Sequence, residues 1–150
     1  MNTFVFLTAV DLSGVLPDFG GFLGDLRFYM GLFLLAGPLV MLALGAWMFF
    51  KPIPTPTHKA GYRTYFGMGS NAAWRFTQWL AGLVWGGAGA LLTVMMIVVC
   101  IVLGSMDVNA AVNAYLNWLI VEAAVALAAF LTVEIAVAAR FDSRGKLRKK

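Results

Sequence analysis

The chain has 150 residues, 61% of them in the set AVILMFWYC and only 12% charged, with a formal net charge of +4. A soluble domain carries about 25% charged residues, so this composition, with a mean hydropathy of +0.84, excludes an ordinary soluble domain. It points instead to a small all-α integral membrane protein. A single cysteine, Cys100, excludes an intramolecular disulfide framework and any multi-cysteine metal site.

Residues 1–27 read as an N-terminal interfacial, amphipathic segment. Leu12, Val15, Leu16, Phe19, Phe22, Leu23 and Leu26 keep roughly helical spacing. Asp11, Asp18, Pro17, Gly14, Gly20, Gly21 and Gly24 interrupt any span. A re-entrant plug over the outer face is the alternative. No basic run precedes the apolar stretch, so a signal peptide is not expected.

Three uncharged or nearly uncharged runs follow, and roughly 20 residues of helix cross a hydrocarbon core about 30 Å thick. The first covers residues 28–50 and the second about 79–104. The third, about 112–139, contains Glu122 and Glu134. The membrane domain is therefore residues 28–142, with a loop at 51–78 and a basic tail at 143–150. Pro52, Pro54 and Pro56 predict an extended exit from the first span.

Lysine and arginine positions set the expected orientation. The loop holds Lys51, Lys59, Arg63 and Arg75 with no acid, and the chain's end holds Arg140, Arg144, Lys146, Arg148, Lys149 and Lys150 against Asp142. The N-terminal segment and the Gly104–Ala111 turn are net acidic. The N-terminus is thus expected outside and the C-terminus in the cytoplasm. Basic residues beside spans orient the chain and bind anionic lipid, so the positive charge predicts no direct nucleic-acid partner.

Helices in lipid associate through close packing and polar contacts, because the hydrophobic effect gives them little drive. Gly82, Gly86 and Ala90 form a small-residue face on the second span, serving either intramolecular packing or a homo-oligomer. Gly37 and Gly45 lie two turns apart on the first span, with Pro38 between them. Ser70 is placed to cap the helix that runs into the second span.

A carboxylate at mid-membrane costs about 3 kcal/mol on insertion scales. Glu134 lies about 9 Å deeper than Arg140 along a helix and wants a basic partner; Arg63 is the first candidate and Arg75 the second. Glu122 sits in the outer third of the span, about 120° around the helix from Glu134. The two are separate sites, not one acid–base pair. His58 stands alone in the loop and reads as solvated. No Ser/His/Asp set, HExxH, glycine-rich phosphate loop or CxxC occurs, so neither an enzyme nor a cofactor is expected.

Two short blocks carry a resemblance. Gly61-Tyr62-Arg63-Thr64, followed by Met68, Ser70 and Trp74, is similar to the signature of the SdpI-type immunity family. Thr132-Val133-Glu134-Ile135, then Phe141-Asp142 and Gly145, resembles the ending of those proteins. The likeness covers roughly residues 30–148. It departs at Asn71-Ala72-Ala73, where the family often has an acid, and at Leu131, where a proline motif is common.

The resemblance implies a bacterial inner-membrane protein that confers immunity to, or senses, a membrane-active toxin. Its implied partners are a peptide toxin or a cytoplasmic repressor. Its implied functional positions are Gly61, Tyr62, Arg63, Thr64, Trp74, Glu134, Phe141, Asp142 and Gly145. A small accessory subunit scaffolding a larger membrane complex is the competing expectation. An ion pathway or embedded enzyme built on Glu122 is the third.

Overall fold

A computed structural model describes residues 19–57 and 59–148, with side chains from residue 26 onward. The expectations for residues 1–18, for His58 and for Lys149 and Lys150 lie outside the described residues. Among the described residues, three long helices make up the fold: α1 (Phe19–Phe50), α2 (Asn71–Gly104) and α3 (Val108–Arg140). A single 3₁₀ turn, Gly67–Gly69, precedes α2.

All three helices are long and apolar enough to cross a membrane: Leu26–Phe50 over 25 residues, Asn71–Gly104 over 34 and Val108–Arg140 over 33. At about 1.5 Å per residue, α2 and α3 exceed the hydrocarbon core by several turns. The surplus at the start of α2 carries Trp74, Thr77 and Gln78, all fully buried. α1 begins at Phe19, ahead of the start expected at residue 28, and runs without a break through Gly20, Gly21 and Gly24. Glycine weakens a helix by about 1 kcal/mol per residue, too little to stop one continuous with an apolar span.

Side chains cap both ends of α2 and the start of α3. Ser70 accepts from Ala73 N at 3.1 Å and opens α2, as the sequence predicts. Asp107 accepts from Asn109 N at 3.1 Å and opens α3. Arg27 reaches across from α1 to the far end of α2, donating to Gly104 O at 3.3 Å and Met106 O at 2.8 Å. A guanidinium there meets both the free carbonyls and the negative end of the helix dipole.

α2 is the central helix, and its pairing with α1 is the closest in the molecule. A Cβ on Gly45 would strike the backbone nitrogen of Gly86. One on Gly82 would lie 2.7 Å from Phe49 N, and one on Gly89 would strike Leu42 N. The packing face is therefore Gly82, Gly86 and Gly89. This corrects the expected third member: Ala90 is exposed. Gly87 likewise has open space around its α-carbon. The 3.6-residue turn brings position i+7 closer to the face than i+8.

Leu34, Met41, Leu92, Met96 and Tyr115 fill the core between the three helices toward the α2–α3 turn. Met48, Ala81, Val133, Val137 and Phe141 fill it toward the 51–70 loop. Adding methyl groups where two backbones touch forces the helices apart, at about 1–3 kcal/mol. Gly45→Val should therefore lower the unfolding midpoint in mixed detergent micelles, with a loss of unfolding free energy of that order. Gly87→Ala should leave the midpoint unchanged or raise it slightly.

Candidate functional site

The residues singled out near the 51–70 loop gather into one knot beneath it. The loop leaves α1 at Lys51 and returns to α2 at Ser70. Trp74, buried in the first turn of α2, donates from Nε1 to Ile53 O at 2.8 Å and pins the outgoing strand of the loop. Gln78, one turn further on, clamps the returning strand. Its Oε1 accepts from Tyr62 N at 3.0 Å, and its Nε2 donates to Tyr62 O at 2.7 Å. The pair satisfies both backbone groups of Tyr62, as a neighbouring strand would.

Gly61 makes this approach possible. Its φ of 96° lies in the left-handed region, where glycine carries no Cβ penalty. Any Cβ there would come 2.9 Å from both Gln78 Oε1 and Trp74. Thr64 is buried and accepts from Gly67 N at 2.7 Å, tightening the turn before the 3₁₀ segment. Arg63 points to the surface.

The C-terminal block closes on the same place. After α3, Asp142 Oδ1 accepts from Arg144 N at 2.9 Å and from Lys146 N at 2.8 Å. Phe141 and Leu147 pair as an isolated antiparallel bridge. Gly145, at φ 68°, makes the turn and packs against the backbone of Ser70, leaving no room for a side chain. Ser70 Oγ donates to Gly145 O at 2.7 Å while it caps α2. Phe141 is buried against Phe76, whose ring also carries the Arg140 guanidinium 4.5 Å from its centroid.

Tyr62 lies with its ring 6.1 Å from that of Trp85 and 6.3 Å from that of Phe130. Its hydroxyl and the Trp85 indole N–H are buried without a hydrogen-bond partner among the described residues. Burial first, and the neighbouring Glu134 carboxylate second, push the Tyr62 hydroxyl up to about 12. The Trp85 indole pulls the other way, although the two groups stand outside hydrogen-bonding geometry. Glu134 thus faces the loop at Tyr62.

Glu122 belongs to a different neighbourhood. Its Oε2 would lie 3.0 Å from a Cβ on Gly37, so the carboxylate rests on the backbone of α1. Its Oε1 is buried and unpartnered among the described residues. Gln78, Trp85 and the Ser70–Gly145 contact were not anticipated from the sequence. Gln78 had a legible signal, an uncharged polar residue one turn after Trp74 on the same helical face. Compared with protein-family models, with curated proteins and with solved structures, the chain matches none.

Two outcomes follow from this geometry. Gly145→Val should detach the tail, and trypsin should then cut after Arg144 and Lys146 faster than in the parent chain; Ser70→Ala should give a smaller effect in the same direction. The second outcome concerns Tyr62. The folded chain holds its phenolic proton more tightly than the unfolded chain, so the stabilisation is complete below pH about 10. It is lost as the pH rises through about 12. Tyr62→Phe should reduce the 295 nm absorbance rise that remains above pH 11, and Glu134→Gln should move part of that rise to lower pH.

Proposed function

We propose that this chain is a non-enzymatic bacterial membrane protein of the SdpI type, conferring immunity to, or sensing, a membrane-active toxin. One observation carries the reading. The two blocks that resemble the family, far apart in sequence, meet through Ser70 Oγ and Gly145 O at 2.7 Å. Motif residues assembled into a single structure behave as one functional unit, which chance matches at separate places have no reason to do.

In this reading the loop and tail face the cytoplasm of the inner membrane, where Lys51, Lys59, Arg75 and the basic tail meet anionic lipid. The knot is the surface offered to a cytoplasmic repressor, and the turn between α2 and α3 faces the side from which a toxin arrives. Glu134 holds the loop onto α3, with Arg63 as the charge that answers it.

Expression of the chain alone in a sensitive bacterium should raise the concentration of membrane-active peptide needed to stop growth. Arg63→Glu and Glu134→Arg should each lose that protection, and the double variant should regain it. Absence of protection in any sensitive strain, together with stoichiometric co-purification with a larger membrane complex, would overturn the reading in favour of an accessory subunit. A double variant no better than either single variant would refute the Arg63–Glu134 pairing alone.

A further inference from the structure

α3 packs on the rest of the molecule along one side, where Ala111, Tyr115, Ala129, Val133 and Val137 are buried. At about 3.6 residues per turn, the side directly opposite carries Asn113, Asn117, Ile120, Ala124, Leu131 and Ile135. All six are exposed. The small-residue face of α2 is already spent, because Gly82, Gly86 and Gly89 pack on α1. A further helix therefore has no access to that face, whereas the outer side of α3 is open along its length.

Two contacts fix the depth of Asn117. Tyr115 Oη would lie 3.9 Å from a Cβ on Gly31, and Glu122 Oε2 would lie 3.0 Å from one on Gly37. Asn117 falls between Tyr115 and Glu122 in sequence, so it stands level with residues 31–37 of α1. Those residues belong to the uncharged run from Phe28 to Phe50, which lipid surrounds. The carboxamide brings two N–H donors and a carbonyl acceptor to that depth. No hydrogen bond reaches it among the described residues. Thr132, also exposed on α3, is different, since its hydroxyl donates to Ala128 O at 2.7 Å. Hydrocarbon supplies neither donors nor acceptors, and a polar group left unpaired in it is costly. Neither acid of α3 stands on this side: Glu122 rests on Gly37 and Glu134 faces Tyr62.

We propose that the outer side of α3 is the interface of a parallel homodimer, joined through Asn117 of each copy. A carboxamide is self-complementary, donating to the carbonyl of an identical group while its own carbonyl accepts in return. A second copy inserted the same way brings that group to the same depth and the same helical side, across a two-fold axis. A lipid does not match it, because acyl chains carry no hydrogen-bonding group and ester carbonyls lie nearer the boundary, toward Asn113. Two turns deeper than Asn117, Ala124 adds little bulk, and Ile120, Leu131 and Ile135 pack about the axis. The dimer goes beyond the immunity reading and does not depend on it, requiring only that the helices span a membrane.

The test uses the full chain in liposomes, as a mixture of copies carrying a donor or an acceptor fluorophore at the C-terminus. Energy transfer should fall as added lipid dilutes the protein and the dimer dissociates. Asn117→Leu should weaken the dimer by about tenfold, while Asn117→Gln, which keeps the amide, should retain most of its strength. The side chain is exposed, so both variants should keep the helical circular dichroism of the parent. In a Cys100→Ser chain, Ile120→Cys and Ala124→Cys should give disulfide-linked dimers under mild oxidation. Leu91→Cys, on the exposed side of α2, should not. Energy transfer in the parent no greater than random proximity gives overturns the proposal. A dimer equally strong in Asn117→Leu overturns it as well, and so does cross-linking that favours Leu91→Cys over both α3 positions.

Discussion

The backbone contact between Gly45 of α1 and Gly86 of α2 is the constraint on which the remaining geometry rests. Lipid gives helices little reason to associate, and what holds them is dispersion at close range. Gly82, Gly86 and Gly89 let α2 approach α1 until backbones touch at Phe49, Gly45 and Leu42. A contact this close has only one register, because sliding α2 by a residue would set Leu83 or Trp85 against α1. With that register fixed, Gln78 stands one turn beyond Gly82, past the end of α1 and level with the returning loop. The clamp on Tyr62, the pin from Trp74 to Ile53 and the cap at Ser70 all take their places from it.

The three helices were legible because charge is absent where lipid would make it expensive. Ser70 was legible as a cap for a local reason, a hydroxyl just ahead of a helical run. Other features needed tertiary information. Gly89 and Ala90 are both small residues near the same helical face, and the 3.6-residue turn puts Gly89, at i+7 from Gly82, nearer to Leu42 than Ala90, at i+8. The start of α1 at Phe19 defeated a reading in which glycines end helices, since tertiary context overrides a propensity of this size. Ser70 and Gly145 are distant in sequence, and no periodicity links them; their contact is visible only when α3 returns the chain to the loop end.

The two intramembrane acids show how far composition can take such an argument. Spacing alone separated them, about 120° around α3, and the structure gives them unlike neighbours. Glu122 lies against the bare backbone of Gly37, a position that only a residue without a side chain leaves open. Glu134 faces a loop that carries arginine and tyrosine. The sequence argument paired Glu134 with a cation because an isolated charge in lipid is costly. The structure adds that the nearer consequence of Glu134 falls on a neutral hydroxyl, that of Tyr62. The two act on each other through space rather than through a hydrogen bond, since the Tyr62 hydroxyl has no hydrogen-bond partner among the described residues.

Most of the polar chemistry at the loop end is consumed by architecture. Trp74, Gln78, Thr64, Ser70 and Asp142 each spend their hydrogen bonds on backbone groups of the loop or tail. Those residues explain why the motifs have the side chains they have: they build the knot and hold its shape. Tyr62 differs from them in kind. Its backbone is fully paired, its ring is held between Trp85 and Phe130, and its hydroxyl is buried with no hydrogen-bond partner among the described residues. A group held rigidly by bonds made through its other atoms has lost its conformational freedom before any ligand comes. Preorganisation of this sort lowers the entropic cost of every contact the group makes, which is what distinguishes Tyr62 from a side chain free to turn.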